Sequence, residues 1–304
     1  MSRTFPKTLI VILGPTAIGK TALSIQLAKH LKTDIISCDS RQFYKEMNIG
    51  TAVPSIEELE AAKHYFIQNR SVFDIYNVGQ FEIDALKKLE ELFEIHQTVI
   101  MVGGSGLYID AVIKGFDVFP EIDPKIREQL INQLEEEGIK TLQHELQKLD
   151  PLSYESIAID NPHRLIRALE ICIGSNQPYS SFINKEKKQR NFRVVKIGLE
   201  AERSVLYDRI NKRVDLMIEN GLIDEAKNLF QYKDLNALQT VGYRELFSYF
   251  DGSISLEKAI EEIKKNSRRF AKRQLTWFRR DPEIIWYSFD SDFKKIAMEV
   301  EAIF

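Results

Sequence analysis

The chain has 304 residues, 44% of them hydrophobic, and a formal net charge of −3. This length allows one large core or a core with an added module, and the charge restricts any nucleic-acid partner to local basic patches. Two cysteines, Cys38 and Cys172, are too few for a disulfide framework or a cysteine-rich zinc module. The apolar run after Lys7 is too short to span a membrane and leads to no cleavage site, so we expect a soluble, cytoplasmic protein.

Short β-branched runs alternate with helical patterns along most of the chain. Continuous apolar runs of this kind are typical of strands buried on both faces, and their alternation with helices predicts a parallel sheet. We therefore expect an α/β core formed by residues 1–115 and 192–304. Its strands are predicted at residues 8–13, 34–38, 98–102, 193–199 and 283–289.

Residues 116–191 have a different pattern, without a convincing strand. Apolar residues recur there at helical spacing among many charges, which predicts an all-helical insertion domain; they are Ile126, Leu130, Leu134, Leu142, Leu146 and Leu149. The basic stretch "NKEKKQRNFR" (184–193) ends this region. A solvated loop is the favoured interpretation of that stretch, and contact with a phosphate backbone is the alternative.

The stretch "GPTAIGKT" satisfies the pattern G-x-x-x-x-G-K-[ST] between a predicted strand and a predicted helix. Backbone N–H groups of such a loop converge on phosphate oxygens, next to the positive end of the helix. A lysine adds a cation and a threonine hydroxyl can hold Mg²⁺, whereas a simple glycine turn is the alternative. We predict a phosphate site formed by Gly14, Pro15, Thr16, Ala17, Ile18, Gly19, Lys20 and Thr21.

Two further segments follow predicted strands, "SCDSRQFY" after the second and "GGSGLY" after the third. Ligands of open α/β sheets bind at the carboxyl edge of the strands, so both segments and the phosphate loop are expected to line one pocket. Asp39 there could bind Mg²⁺, accept a proton or merely cap the next turn. Ser105 would present a hydroxyl at the same edge. The third strand lacks the terminal Asp of a nucleotide hydrolase, which argues against an ATPase.

Seven segments in chain order resemble motifs of the tRNA dimethylallyltransferases, also called tRNA isopentenyltransferases. They are "GPTAIGKT", "SCDSRQFY", "MNIGTAVP", "VGGSGLY", "HRLIRALE", "VGYRE" and "AKRQLTWFRR". The resemblance runs from about Thr8 to Trp286 and implies a P-loop NTPase-like, nucleotide-kinase-like α/β fold. Ile18 and Ser105 stand where the family usually has Ser and Thr. The implied partners are dimethylallyl diphosphate and the anticodon stem-loop of tRNA, and we expect a monomer.

The resemblance implies transfer of a dimethylallyl group to N6 of the adenosine 3′-adjacent to the anticodon, in tRNAs reading UNN codons. Lys20, Thr21 with Mg²⁺ and the loop amides from Thr16 to Gly19 would hold the diphosphate. Asp39 would act as the general base, and Ser105 would hydrogen-bond the oxygen that bridges carbon and phosphorus. The implied tRNA contacts are Asp39, Ser40, Arg41, Gln42, Ser105, Arg127, His163, Arg164, Leu165, Ile166, Arg167, Gly242, Tyr243, Arg244 and Glu245.

Three of these segments also have ordinary structural interpretations. Without the resemblance, "HRLIRALE" predicts an amphipathic helix with solvated arginines, and "VGYRE" predicts a turn at a helix start. The helix expected from Leu256 to Trp277 could be a surface helix with a Glu261–Lys265 pair. However, its cations favour contact with an RNA backbone; they are Lys264, Lys265, Arg268, Arg269, Lys272, Arg273, Arg279 and Arg280.

Two other functions are compatible with a phosphate loop. A small-molecule kinase would need a segment that clamps adenine and an acceptor site, and the sequence identifies neither. A non-catalytic RNA-binding protein is the other possibility. The intact Gly19-Lys20-Thr21 motif and Asp39 argue against it.

Overall fold

A computed structural model of the chain describes residues 7–183 and 188–302. Within these ranges, six strands form one parallel sheet in the order β3-β2-β4-β1-β5-β6. The strands are β1 (Thr8–Leu13), β2 (Ile35–Ser37), β3 (His64–Tyr65), β4 (Thr98–Gly103), β5 (Arg193–Glu200) and β6 (Ile284–Ser288). The predicted parallel α/β sheet is confirmed, and the five predicted strands end within one residue of the observed ones. Strand β3 was missed because two residues carry no periodic pattern.

Helices cover both faces of the sheet because both faces of its central strands are apolar. All six residues of β1 are buried. Ile10 and Ile12 belong to one core, and Leu9, Val11 and Leu13 belong to the other. The helices that flank the sheet are α1 (Lys20–Leu31), α2 (Ile56–Ala61), α3 (Val78–Ile95), α4 (Gly106–Lys114), α9 (Arg203–Glu219), α10 (Leu222–Leu229), α11 (Tyr243–Phe250), α12 (Leu256–Phe278) and α13 (Phe293–Glu301).

A third core holds α9, α10, α11 and α12 together beside the sheet. Its fully buried members include Leu222, Tyr243 and Leu246. Ser255 caps α12, because its side chain accepts the N–H of Lys258 at 3.2 Å. The capped helix then continues without interruption to Phe278, and its last turns reach the carboxyl edge of the sheet.

Residue contacts divide the described chain into two compact units. The first contains the described residues up to Ile113 and from Arg190 onward, and the second runs from Lys114 to Gln189. Its helices are α5 (Pro124–Glu137), α6 (Ile139–Leu149), α7 (Pro151–Ser156) and α8 (Pro162–Ser175). Proline opens α5, α7 and α8, each after an Asp or Asn whose side chain caps the helix. The second unit has its own core of leucines, including Leu130, Leu142, Leu146, Leu165 and Leu169.

None of the helices in the described ranges is both long and apolar enough to cross a membrane.

Candidate active site

Three strand ends form the candidate site. Strands β2, β4 and β1 are neighbours and run parallel, so the segments that follow them leave the sheet at one edge. Lys20 and Asp39 line the same cavity, and they interact electrostatically. The structure therefore brings together the phosphate loop and the carboxylate that the sequence singled out.

The phosphate loop has a backbone that only certain residues can form. Gly14, at φ 144°, lies so close to Leu199 that a Cβ would come within 2.6 Å of its carbonyl oxygen. Ala17, at φ 63°, is a non-glycine residue in the left-handed region, and Arg209 Nε donates to its carbonyl at 2.8 Å. Gly19, at φ 108°, directs the chain into α1. This sequence of turns is the arrangement that points successive N–H groups toward an anion.

One backbone N–H that was predicted to bind phosphate already donates a hydrogen bond within the protein. The N–H of Thr16 donates to Oε1 of Gln274 at 2.9 Å, and the hydroxyl of Thr16 lies 3.5 Å from Arg213 Nη1. Diphosphate binding by the Thr16 N–H would require this bond to Gln274 to break, and its predicted role stays a prediction. The amides from Ala17 to Gly19 keep that predicted role.

Burial and two neighbouring charged residues change the pKa of Lys20. Its Nζ donates to the carbonyl of Pro15 at 2.8 Å. Burial lowers the pKa of Lys20 to about 8, an effect that Asp39 opposes and Arg213 increases. Since an ammonium group in such a site lacks hydration, an incoming anion would stabilise its charged form.

Asp39 is held in place by its own backbone turn. Its Oδ1 accepts the N–H of Arg41 at 3.1 Å, so the capping role considered from the sequence is present. Within the described part of the chain no hydrogen bond to Oδ2 is found. The capping bond therefore fixes the carboxylate without using both of its oxygens.

Ser105 connects the segments after β4 and β2. Its Oγ accepts the N–H of Ser40 at 3.2 Å and donates to the hydroxyl of Ser40, also at 3.2 Å. Ser105 is half-buried and lines a cavity together with Asp39. The hydroxyl that the sequence placed at this edge is thus next to the carboxylate segment.

The site consists of two adjoining cavities, both inside the first unit. One of about 410 Å³ contains the phosphate loop, and the other of about 550 Å³ contains Ser40, Arg41, Ser105 and the segment around Arg244. The residues that line both cavities are Thr16, Ala17, Asp39, Thr51, Arg213, Phe270 and Gln274. An anion in the first cavity and a second ligand in the other would therefore meet at Asp39.

Sequence reasoning missed three residues of this site. Arg209 and Arg213 lie four positions apart on α9, so both reach the phosphate loop from one helix face. Burial lowers the pKa of the Arg213 guanidinium, although Asp39 opposes the shift. This i, i+4 arginine pair was a usable signal. Gln274 lies in the segment "AKRQLTWFRR", but nothing in that segment set this residue apart from its neighbours.

The donor set fits a magnesium ion bound together with a diphosphate. Mg²⁺ is usually held by one or two carboxylates and substrate phosphates, and Thr21 and Asp39 both line the phosphate cavity. The described residues contain no cluster of three or more His, Cys, Asp or Glu that could hold a metal.

The predicted tRNA residues near this site have different environments. Arg244 is exposed and lines the larger cavity. Arg41 donates to the carbonyls of Asn236 and Ala237, both at 3.1 Å, at the rim of that cavity. Gln42 has a structural role, because its Nε2 donates to the carbonyls of two residues in the following loop, Thr51 and Ala52.

Tyr243 and Glu245 are buried. Tyr243 is fully buried, and its hydroxyl donates to Glu225 at 2.6 Å. Glu245 accepts the N–H of Gly242 at 2.8 Å and that of the Asn266 side chain at 2.8 Å. Both side chains shape the start of α11, and RNA contact by this motif stays a prediction. Gly242 belongs to the same buried turn.

In the second unit, the predicted tRNA residues on α8 also include both exposed and buried side chains. His163 and Arg164 are exposed, whereas Leu165 and Ile166 are buried in the core of the unit. The side chains of Leu165 and Ile166 pack inward at helical spacing, and the RNA contact of this motif stays a prediction. Arg127 and Arg167 both pair with the buried carboxylate of one residue, Glu170, at 3.0 and 3.1 Å.

The basic segments are only partly solvated. Residues 184–187 of the stretch 184–193 lie outside the described residues. Arg190 is anchored, contrary to the favoured interpretation of a solvated loop, since it donates to Glu82 and to the carbonyls of Ala111 and Val112, each at 2.8 Å.

Several cations of α12 also have partners. Lys264 pairs with Asp215, and Lys265 pairs with Glu262 rather than with the predicted Glu261. The exposed members of the eight predicted cations are Arg269, Lys272, Arg273, Arg279 and Arg280. A basic surface thus remains at the end of the helix that reaches the site.

A family model described as IPP transferase matches residues 42–281 of the chain. The chain is 62% identical over 294 residues to the tRNA dimethylallyltransferase of Christiangramia forsetii, covering 97% of each protein. It is 58% identical over 296 residues to that of Flavobacterium johnsoniae, covering 95% of this chain and 96% of the relative.

Two solved structures have the same fold. The full-length tRNA isopentenylpyrophosphate transferase of Bacillus halodurans gives a TM-score of 0.71 at 41% identity, over 98% of this chain and 95% of that one. A eukaryotic dimethylallyltransferase described as acting on tRNA gives a TM-score of 0.78 at 26% identity, over 98% of this chain and 78% of that one. Since the family model matches most of the chain and the identities extend over nearly the full length of curated relatives, the chain belongs to the IPP transferase family.

Proposed function

We propose that this chain is a prenyl transferase that acts on tRNA. It transfers the dimethylallyl group of dimethylallyl diphosphate to N6 of the adenosine 3′-adjacent to the anticodon, in tRNAs that read UNN codons. The products are N6-dimethylallyladenosine and diphosphate. The observation that carries the proposal is the meeting of two cavities at Asp39, one with a phosphate loop and the other with exposed basic residues.

The leaving group is stabilised by groups already fixed in the smaller cavity. As the carbon–oxygen bond breaks, negative charge develops on the diphosphate, and preorganised donors and cations lower the barrier for that step. Lys20, Arg213 and the amides from Ala17 to Gly19 supply this environment. Ser105, whose hydroxyl donates to Ser40 in this structure, would donate instead to the oxygen that bridges carbon and phosphorus.

The acceptor nitrogen needs a base because its lone pair is delocalised into the adenine ring. In the proposed step the carbon–nitrogen bond forms as the carbon–oxygen bond breaks, and the nitrogen loses a proton to the carboxylate of Asp39. The diphosphate leaves with the electron pair of the broken bond. Asp39 can serve both cavities because it lines both.

Mg²⁺ would bind through Thr21 together with the diphosphate, and it would neutralise part of the leaving-group charge. The residues of the chain bind and orient the diphosphate around it. Thr21 is at the start of α1, where the helix N-terminus also favours an anion.

The larger cavity is the proposed site of the adenine. An adenine of the anticodon loop must leave its stack to reach a pocket, which costs a few kcal/mol and least for unpaired bases. Phe270 and Trp277 line this cavity and are 39% and 37% exposed, so they offer ring faces to a base. Arg244 and Arg273 line it as well and would contact the RNA backbone.

The remaining parts of the proposal concern the whole chain. The second unit would contact tRNA through the exposed residues His163 and Arg164 of α8. A monomer is supported by the fact that residues of one chain line both cavities. A tRNA substrate is consistent with a cytoplasmic enzyme.

The proposal is tested by incubating the purified chain with unmodified tRNA, dimethylallyl diphosphate and Mg²⁺, followed by mass analysis of the tRNA nucleosides. We expect N6-dimethylallyladenosine, and no product when ATP replaces the isoprenoid diphosphate. Phosphate transfer from ATP without prenylation would instead indicate a kinase.

Asp39→Asn provides the matched variant, because the amide oxygen can still accept the N–H of Arg41 while the base is lost. We expect turnover to fall by about 10²- to 10⁴-fold with diphosphate binding retained. Turnover like that of the unmodified chain would remove Asp39 from the mechanism.

A further inference from the structure

Gln274 occupies the space between two of the loops that form the candidate site. It lies near the end of α12, is 6% exposed, and lines both cavities. Its Oε1 accepts the N–H of Thr16 at 2.9 Å, and its Nε2 donates to the carbonyl of Gly104 at 2.8 Å. One side chain thus connects the loop after β1 to the loop after β4.

The chemistry of both contacts requires an amide. One partner is a backbone donor and the other is a backbone acceptor, so the side chain must supply one acceptor and one donor. An ionised Glu can only accept, and a Leu can do neither. The pairing also fixes the orientation of the amide, since the opposite orientation would place N–H against N–H.

The loop after β4 is shaped to receive this side chain. A Cβ on Gly104 would lie 2.2 Å from Nε2 of Gln274, so the backbone approaches the amide as closely as only glycine allows. Gly106, two positions later, is equally close to Trp277, because a Cβ there would lie 2.4 Å from that ring. The end of α12 therefore rests directly on the Gly104–Gly106 segment.

The contacts continue from this segment to the proposed base. Ser105 follows Gly104 and hydrogen-bonds both the backbone and the hydroxyl of Ser40, which is the neighbour of Asp39. Hydrogen bonds, with the peptide link from Gly104 to Ser105, thus connect the phosphate loop to Gln274, Ser105 and the Asp39 segment.

We infer that Gln274 is a positioning residue for prenyl transfer, which holds the diphosphate loop at a fixed distance from Ser105 and Asp39. The inference rests on the proposed function for its role in catalysis. The amide acts through the loops that it holds, because it uses its donor and its acceptor on the protein. By removing the N–H of Thr16 from the anion site, it also assigns diphosphate binding to the later amides of the loop.

The test compares Gln274→Glu with Gln274→Leu over a range of pH. A protonated Glu keeps one acceptor and one donor, whereas an ionised Glu faces the carbonyl of Gly104 with a negative charge. We therefore expect the turnover of Gln274→Glu, divided by that of the unmodified chain, to rise as the pH falls through the pKa of the new carboxyl. Gln274→Leu should lose about 100-fold in kcat, as expected for a misplacement near the reacting atoms, and its ratio should not change with pH.

Gln231→Glu is the control, because it makes the same chemical change at an exposed residue of the first unit. Thermal unfolding at each pH identifies the conditions in which every variant is folded, and rates are compared only there. A pH-independent ratio for Gln274→Glu, or a Gln274→Leu variant with the turnover of the unmodified chain, would overturn the inference.

Binding of inorganic diphosphate separates this inference from the proposed function. The ratio to be measured is the dissociation constant of inorganic diphosphate for Gln274→Glu divided by that for the unmodified chain. This ratio should fall as the pH falls, whether or not tRNA is prenylated. If this ratio behaves as expected but the unmodified chain forms no prenylated nucleoside, the proposed function fails and the connection of the loops stands. If prenylation occurs but neither the turnover ratio nor the ratio of dissociation constants changes with pH, the role inferred for Gln274 is wrong.

Discussion

The pKa of Lys20 predicts how the affinity for diphosphate changes with pH. Burial lowers that pKa from 10.5 to about 8, and Asp39 only partly opposes the shift. Below about pH 8 the ammonium group is already charged, so it attracts the anion without taking up a proton. Above that pH the free protein must first bind a proton, and the affinity falls as the pH rises.

The size of the change in affinity follows from the difference between the pKa of Lys20 in the free protein and its pKa in the diphosphate complex. If bound diphosphate returns the pKa of Lys20 to at least its ordinary 10.5, the dissociation constant should increase by about 30-fold between about pH 7 and pH 9.5, or about 2 kcal/mol. Isothermal titration calorimetry with inorganic diphosphate at constant Mg²⁺ measures this change. Buffers with different ionisation enthalpies would report the uptake of about one proton near the upper pH.

Two variants separate Lys20 from the titration of diphosphate itself. Lys20→Arg keeps its charge at every pH used, and Lys20→Met has no charge. The titration of diphosphate itself changes the affinity of every variant by the same factor. After division by that factor, the affinities of both variants should not change with pH. An unmodified chain whose affinity follows the same pH curve as Lys20→Met would refute the assigned pKa and the role of burial.

The other predictions concern buried residues of two motifs and the basic surface. Tyr243→Phe should reduce the free energy of unfolding in urea by about 1.5–3 kcal/mol because Glu225 loses a buried donor, whereas Tyr249→Phe on the same helix should have little effect. Leu165→Ala should lower stability by about 2–5 kcal/mol and leave diphosphate affinity unchanged; equal stability would contradict its place in the core. Combined Lys272→Ala and Arg273→Ala should reduce the slope of log affinity for tRNA against log salt by about 1 for each cation, and an unchanged slope would exclude them as phosphate contacts.

Much of the site could be predicted because its motifs are local. A phosphate loop between a strand and a helix needs glycines at positive φ, and Gly14 and Gly19 have such angles in the structure. Parallel strands place their following loops at one edge, which is why Lys20 and Asp39 meet in one cavity.

The sequence could not assign roles within a motif that contained both exposed and buried positions. In "HRLIR" the helical period directs His163 and Arg164 outward and Leu165 and Ile166 into a leucine core. Membership of a motif does not distinguish a residue that touches a ligand from one that supports it. Burial distinguishes them, and burial depends on neighbours that the motif does not contain.

The sequence by itself determined the α/β class, the positions of the described strands other than β3, and the phosphate loop, since these depend on the spacing of residues along short stretches of chain. Only the tertiary structure decided which groups complete the site. Gln274 meets Thr16 across 258 residues of chain, and Arg213 reaches the same residue across 197. Such contacts depend on how α9 and α12 pack against the sheet edge, and no local spacing encodes them.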